Sequence, residues 1–208
     1  MRSGLRLFVA VFLALVAVRP RPSHSEDVGE RSAAELMDVL MWNREPVGGP
    51  LALIDHTGQR RTEVDFRGKL MLVYFGFTYC PDVCPTDLQE MSIAVDKLGA
   101  QGEAVQPLFI TVDPERDTPE HLADYVSLFH PRLVALTGEP SAIQRAARAY
   151  KVYYAKVPTS KGDYTVDHSG FVYLMGRDGE YLGFFPPGTS ADRMVEIIRP
   201  RMGAPAAR

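Results

Sequence analysis

The two cysteines of this 208-residue chain, Cys80 and Cys84, stand four positions apart, and the sequence contains no others. Each cysteine precedes a proline, and the residue before a proline is disfavoured in the helical conformation. The sequence therefore predicts a loop at Cys80 and a helix that begins at Pro85, with Cys84 as its N-cap. At that position the positive end of the helix dipole would favour the thiolate form of Cys84.

Three kinds of chemistry fit two thiols at this spacing. A structural disulfide would close a very short loop and would add little stability. A dithiol pair would carry out thiol–disulfide exchange. A pair of thiolates would bind a soft metal ion such as Cu(I). The sulfur pair alone leaves these alternatives open, so the rest of the chain has to decide between them.

The elements on either side of the cysteines form a strand–loop–helix unit. Residues 70–77 are continuously apolar, which is typical of a strand that is covered on both faces of a sheet. After the second cysteine, apolar residues recur at helical spacing and predict the inner face of a helix. These residues are Leu88, Met91, Val95 and Leu98. The cysteines therefore lie where the strand ends and the helix begins.

The remaining pattern predicts a β-hairpin, then a βαβαβα segment, then a closing ββα segment. Strands that alternate with helices indicate a parallel core, and Asp178-Gly179 is a strong signal for a final hairpin. A strand is also expected at residues 152–157, followed by a polar loop at 158–163. The expected fold class is α/β, with a thioredoxin-like fold, a central mixed sheet flanked by helices, and an N-terminal β-hairpin extension over residues 51–65.

Residues 1–25 are predicted to be a signal peptide or an N-terminal membrane anchor. Arg2 and Arg6 precede an uncharged apolar run, residues 7–18, which is shorter than the roughly 20 residues that span a membrane. Either interpretation exports the domain to the periplasm, where an uncleaved anchor would hold it at the inner membrane. Exported chains that rely on disulfides usually carry several, so a single close pair favours chemistry over scaffolding.

The rest of the chain divides into three parts. Residues 26–45 are expected to be a linker with one short helix, which either docks on the domain or serves as a spacer near a membrane. Residues 46–201 form the expected domain, and the Ala/Pro-rich tail, residues 202–208, is expected to be disordered. Beyond residue 25 the chain has 19 basic and 26 acidic residues, a net charge of −7. This charge disfavours nucleic-acid binding.

Three separate motifs resemble those of the Sco/SenC family. Residues 75–86 read FGFTYCPDVCPT, residues 112–120 read VDPERDTPE, and residues 166–169 read VDHS. The resemblance covers about residues 46–200. It implies an exported, often membrane-tethered thioredoxin-fold protein that binds copper and helps to mature the dinuclear copper centre of cytochrome c oxidase. It also implies two partners, the copper-bearing subunit of the oxidase and another copper chaperone as donor.

The metal ligands that this resemblance implies are Cys80, Cys84 and His168. Two thiolates suit Cu(I), and an imidazole suits either Cu(I) or Cu(II). Without its flanking motif, His168 would be taken for an ordinary surface residue near a turn. Asp113 ends the strand beside the cysteine strand, so it either lies near the metal or merely begins a turn. Arg116 is expected to pair locally with Asp117.

The resemblance favours a metallochaperone rather than a turnover enzyme. The main alternative is a thiol–disulfide reductase that keeps the cysteines of the oxidase subunit reduced, and a redox or copper sensor is a third possibility. Thioredoxin-type oxidoreductases have two residues between their cysteines, whereas this chain has three. Phe77 and Val73 occupy the positions at which a peroxiredoxin would have a threonine and a proline, which disfavours peroxidase chemistry.

Overall fold

The computed structural model describes residues 32–42, 45–160 and 162–202. Within these ranges the α-helices are α1 (Ala33–Trp42), α2 (Val83–Lys97), α3 (Pro119–Val126), α4 (Pro140–Ala149) and α5 (Ala191–Ile198). The strands of the same ranges are β1 (Leu53–Asp55), β2 (Arg60–Arg61), β3 (Leu70–Gly76), β4 (Val105–Thr111), β5 (Val134–Thr137), β6 (Tyr154–Pro158), β7 (Tyr164–His168), β8 (Val172–Met175) and β9 (Tyr181–Phe185).

Seven of these strands form one mixed sheet in the order β2-β1-β5-β4-β3-β8-β9. The three central strands, β5, β4 and β3, run parallel, and β8 and β9 continue the sheet in the antiparallel direction. At the opposite edge, β1 and β2 form the expected N-terminal hairpin. The predicted α/β class with a central mixed sheet is therefore confirmed.

Strand β3 lies near the middle of the sheet and carries the cysteine loop at its carboxyl end. It pairs with β4 on one side and β8 on the other, and every one of its residues is buried. The apolar run in the sequence predicts this position because a strand covered on both faces has no polar side. The loop and helix α2 therefore begin from a rigid part of the fold.

Strands β6 and β7 form a second, two-stranded sheet, which we call the β6–β7 ribbon. Tyr154 pairs with His168 at one end of the ribbon and Pro158 pairs with Tyr164 at the other. The sequence predicts β6 but no partner strand for it. Most residues of the ribbon are exposed or half-buried, with Val166 as the buried one, so the hydrophobic pattern is too weak to identify β7.

Helix α1 docks on the domain through one face. Leu36, Val39 and Leu40 are buried, and the hydroxyl of Tyr181 on β9 donates a hydrogen bond of 3.3 Å to the carbonyl oxygen of Leu40. Among the described residues, no helix has the length and apolar character that a membrane span requires. The predicted signal peptide or anchor, residues 1–25, lies outside the described residues, as does the predicted tail beyond Met202.

Candidate metal centre

Cys84 lies within helix α2, and this corrects the predicted helix start. The helix begins at Val83 with Asp82 as its N-cap, so Cys84 is the second helical residue and Pro85 the third. A proline is tolerated there because the first four N–H groups of a helix have no partner inside it. The proline rule disfavours a helical conformation at Cys84 but does not exclude it. Cys80 lies in the preceding loop, as expected.

The sulfur of Cys84 fits beneath the end of β3 because residue 76 is glycine. A Cβ atom at Gly76 would lie 2.9 Å from the Cys84 Sγ, 2.9 Å from a ring carbon of Tyr74 and 3.0 Å from a ring carbon of Phe109. Real side chains do not approach so closely, and Cys84 is itself fully buried. The missing side chain at Gly76 therefore makes room for the thiol.

The fold brings His168 to the two cysteines. The Nε2 atom of His168 lies 3.3 Å from the Sγ of Cys84, and the ligand atoms of Cys80, Cys84 and His168 all lie within 4.8 Å of one another. The other ring nitrogen, Nδ1, is 3.2 Å from the carbonyl oxygen of Ser169. A carbonyl only accepts hydrogen bonds, so Nδ1 carries the proton in this contact and Nε2 keeps its lone pair for a metal.

Two aromatic rings hold the imidazole from the side of the core. The rings of Tyr74 and Phe77 stand nearly perpendicular to the ring of His168, with centroid distances of 6.2 and 5.8 Å. Both aromatic residues are buried. The orientation of His168 is therefore set by packing as well as by its bond to Ser169. Sequence reasoning did not assign this role to either ring.

The two thiols differ in their acidity. A hydrogen bond from Cys84 lowers the pKa of Cys80 well below that of an ordinary thiol, against the opposing effect of burial, and the backbone N–H groups of Asp82 and Cys84 add to the decrease. The neighbouring Cys80 and burial raise the pKa of Cys84. The expectation that Cys84 would be the thiolate is therefore wrong. Its place at the helix N-terminus is outweighed by the neighbouring Cys80 and by burial, so the pKa of Cys84 is raised while that of half-buried Cys80 is lowered.

Asp87 lies one turn after Cys84 and was not identified from the sequence. It is buried, and its Oδ1 accepts a hydrogen bond of 2.8 Å from the backbone N–H of Gly188. Burial raises the pKa of its carboxyl group. The available signal was its spacing, since a residue three positions after Cys84 falls on the same inward face of α2. Asp87 ties the loop before α5 to the helix that carries Cys84.

Asp113 lies beneath the β6–β7 ribbon rather than within the three-residue cluster. Its buried carboxylate accepts a hydrogen bond of 2.8 Å from the hydroxyl of Tyr164 and another from the Nε of Arg116. The structure therefore gives Asp113 a role in joining the loop after β4 to the strand that ends at His168.

The expected pairing of Arg116 with Asp117 is wrong. Asp117 is buried at the end of the sheet, where its carboxylate accepts hydrogen bonds from the N–H and hydroxyl of Thr78, at 3.1 and 2.6 Å, and from the hydroxyl of Thr111 at 2.6 Å. Asp117 thus holds the start of the cysteine loop against β4. Arg116 points the other way, towards Asp113.

Two sulfur donors and one imidazole are a donor set for a soft cation. Among the described residues, Cys80, Cys84 and His168 form the group of three that could hold a metal ion. Three donors leave a coordination position open, and Cys80 is half-buried rather than enclosed. Thiolate ligands of this kind select Cu(I), zinc or iron–sulfur clusters, and a three-donor site is closest to the low coordination number of Cu(I).

The family model for SCO1/SenC matches residues 41–203 of this chain. The chain belongs to the SCO1/SenC family. Among SCO1/SenC proteins, the SCO2 homologue of Mus musculus is 46% identical over 159 residues, which cover 75% of this chain and 62% of the mouse protein. The SCO1 homologue of Homo sapiens is 49% identical over 142 residues, which cover 67% of this chain and 47% of the human protein. The chain thus spans about half to three fifths of the length of these relatives.

Solved structures of SCO1/SenC proteins share the fold. A copper-bound structure of Bradyrhizobium japonicum ScoI is 41% identical, with a TM-score of 0.70, and covers 74% of this chain and 99% of its own. A copper-bound structure of Arabidopsis thaliana ScoI is 42% identical, with a TM-score of 0.72, and covers 75% of this chain and 98% of its own. The expected thioredoxin-like fold of this SCO1/SenC protein is therefore confirmed.

Proposed function

We propose that this chain binds copper between Cys80, Cys84 and His168 and delivers it to the dinuclear copper centre of cytochrome c oxidase during assembly. The observation that carries the proposal is the convergence of these three ligand atoms within 4.8 Å. Copper-bound structures of relatives that are 41% and 42% identical support copper as the cargo. The oxidase as target rests on membership of the SCO1/SenC family and on the three motifs that resemble it.

The charges of the site suit temporary binding. A complex of two thiolates with Cu(I) has a net charge of −1, and the same complex with Cu(II) is neutral. A neutral imidazole completes the site without adding charge. Cys84 is fully buried, whereas Cys80 and His168 both lie on the half-buried side of the site. A donor group of the acceptor protein would approach from this side and displace one ligand at a time.

Location and partners are part of the same proposal. We infer that residues 1–25 export the domain to the periplasm, either as a cleaved signal or as a tether to the inner membrane. There the copper-bearing oxidase subunit would be the acceptor, and a second copper chaperone would be the donor. The net charge of −7 beyond residue 25 suits partners with basic surfaces.

A second candidate function is reduction of a disulfide in the oxidase subunit. The observation that favours it is the closeness of the two sulfurs, which lie within 4.8 Å of each other, together with the lowered pKa of Cys80. The Cys80 thiolate would attack one sulfur of the target disulfide and release the other as a thiolate. Cys84, after losing its proton, would then attack Cys80 and release the second target thiol. Two electrons pass to the target, and a Cys80–Cys84 disulfide remains.

The test begins with the full chain, reduced and kept without oxygen. Titration with Cu(I) should give close to one bound equivalent, and the Cys80→Ser/Cys84→Ser variant should bind none at this site. Absence of copper binding by the reduced native chain would overturn the delivery proposal.

The two functions separate in cells that lack the native gene. If the chain delivers copper, His168→Ala should fail to restore oxidase activity, because copper binding is weakened while the dithiol is intact. If the chain is a reductase, His168→Ala should restore activity and the double cysteine variant should not. Expression that follows copper without any effect on oxidase assembly would instead indicate a sensor.

A further inference from the structure

Arg116 lies between the two segments that supply the metal ligands. The central carbon of its guanidinium group is 4.8 Å from the ring centroid of Tyr79, the residue before Cys80, and 3.9 Å from the ring centroid of Tyr164 on β7. A flat cation that contacts two aromatic faces is a favourable arrangement, which lysine cannot reproduce. One side chain therefore contacts both the cysteine loop and the β6–β7 ribbon.

The hydrogen bonds of Arg116 fix its guanidinium group in place. Its Nε donates to the buried carboxylate of Asp113, and its Nη1 donates to the carbonyl oxygen of Tyr164 at 3.0 Å and to the exposed carboxylate of Asp163 at 3.5 Å. The other oxygen of Asp113 accepts from the hydroxyl of Tyr164. Asp113, Arg116 and Tyr164 thus form a closed set of bonds between the loop after β4 and the ribbon.

A third ring connects this set to the histidine. The guanidinium carbon of Arg116 lies 5.9 Å from the ring centroid of Phe77, and the same ring packs edge to face against His168 at 5.8 Å. Phe77 is buried between them. A shift of the Arg116 side chain would therefore reach His168 both through Phe77 and through the strand that runs from Tyr164 to His168.

The ribbon contacts the rest of the domain through the buried side chain of Val166 and through polar contacts near Tyr164. It forms its own two-stranded sheet, separate from the seven-stranded sheet, and an isolated ribbon of two strands is only marginally stable in water. At its histidine end, the N–H of Ser169 donates a hydrogen bond to the carbonyl oxygen of Tyr153, and the N–H of Tyr153 donates one to the hydroxyl of Ser169. At its other end, Arg116 and Asp113 make part-buried hydrogen bonds with Tyr164.

We propose that Arg116 is a positioning residue that sets the distance between the His168 imidazole and the two sulfurs, by holding the cysteine loop and the β6–β7 ribbon together. This inference rests on the proposed copper site. Arg116 does not bind the metal itself. It acts through Phe77 and Tyr164, so its effect on copper affinity should exist only while His168 is a ligand.

A double-mutant cycle on the full, reduced chain tests the proposal. The affinity for Cu(I) is measured by competition with a chromophoric Cu(I) chelator for the native chain, Arg116→Lys, His168→Ala and the double variant. Arg116→Lys should weaken binding on the order of 10-fold, as is typical when a group that orients a ligand is removed. In the His168→Ala background, the same substitution should leave the affinity unchanged.

Lys156→Gln is the matched control. The Nζ of Lys156 lies 4.5 Å from the ring centroid of Tyr164 and pairs with the exposed Glu115, but it has no contact with Tyr79 or Asp113 among those described. Its loss should leave copper affinity close to native. If Arg116→Lys does not fold, Tyr164→Leu removes one of the two ring faces on the exposed ribbon and should weaken binding in the same His168-dependent way.

Other outcomes separate this inference from the proposed function. Equal weakening in both backgrounds, or no weakening by Arg116→Lys, would overturn the positioning role while the copper site stands. If the native chain binds no copper, the proposed function fails. Amide hydrogen exchange of the metal-free chain then tests whether Arg116 positions the β6–β7 ribbon. Faster exchange over residues 164–168 in Arg116→Lys than in Lys156→Gln would support the positioning role, and equal exchange would overturn it.

Discussion

The Nε2 of His168 lies 3.3 Å from the Sγ of Cys84, although 84 positions separate the two residues in the chain. The sulfur is fixed by the first turn of α2 and the imidazole by the end of β7. The contact therefore depends on the whole arrangement of sheet, helix and ribbon. Two segments that carry different donor types meet at one point, which is what a site for a soft metal requires.

Replacement of His168 by alanine should reduce the affinity for Cu(I) by at least about tenfold, because a lost ligand is worth more than about 1.4 kcal/mol. The measurement is chelator competition on the reduced full chain. His121→Ala is the control, since that imidazole stacks on Tyr79 and contacts Thr78 but is not one of the three clustered ligands. Unchanged affinity in His168→Ala would remove this residue from the site.

The two thiols should react with iodoacetamide at different pH. The pKa of Cys80 is lowered and that of Cys84 is raised, so at about pH 6 Cys80 is already thiolate while Cys84 remains a thiol. Fragment mass spectrometry of the 70–97 peptide should place the first label on Cys80. In denaturant the pKa of both thiols should return to the ordinary value of 9.0, so that both react together and only at high pH. First labelling at Cys84 would contradict the assignment.

Gly76→Ala should destabilise the fold and disturb the site. Its new methyl group would meet the Cys84 sulfur at 2.9 Å and two aromatic rings at 2.9 and 3.0 Å, and none of these neighbours is a flexible chain end. We expect the free energy of unfolding to fall by about 1–3 kcal/mol, as for other overpacked cores. Urea denaturation of the metal-free chain measures this change.

Gly138→Ala is the matched control for that substitution. The nearest atom to its new Cβ would be a methyl group of Leu53 at 3.4 Å, an ordinary packing distance. It should change the free energy of unfolding far less than Gly76→Ala. Equal destabilisation by the two substitutions would contradict the claim that the missing side chain at Gly76 makes room for the Cys84 sulfur.

Asp117→Asn should loosen the start of the cysteine loop. The carboxylate accepts three hydrogen bonds from Thr78 and Thr111, whereas an amide turns an NH₂ group towards one of these donors. The loss should cost about 1–3 kcal/mol in the free energy of unfolding, the usual cost of a buried unsatisfied donor. Asp124→Asn on the exposed side of α3 is the control, and a similar loss there would contradict the argument.

The sequence predicts the parts of the fold that have strong local patterns. The fully apolar run of β3 and the helical spacing in α2 each indicate their element directly, because burial on two faces or one face leaves a distinct pattern. Strand β7 has no such pattern, since Val166 is its buried residue and its neighbours are exposed or half-buried. The position of His168 at the end of a strand could therefore not be derived from periodicity.

The details of the site depend on burial that local sequence does not reveal. Position in the first turn of a helix suggests a thiolate at Cys84, but its contact with Cys80 and its burial raise the pKa of Cys84, while the pKa of Cys80 is lowered. Likewise, Asp113 and Asp117 are both within reach of Arg116 along the chain. Only the folded structure distinguishes them, because Asp117 turns inward to Thr78 and Thr111.

The imidazole belongs to a ribbon that is separate from the main sheet, while the sulfurs follow the central strand of that sheet. Withdrawal of His168 would break no strand pairing in the seven-stranded sheet. The nitrogen donor can therefore leave without disturbing the main sheet, whereas Cys84 is fixed in helix α2. In the proposed delivery of copper, an incoming group from the acceptor would replace it while both sulfurs still hold the ion, so the metal would never be released unbound.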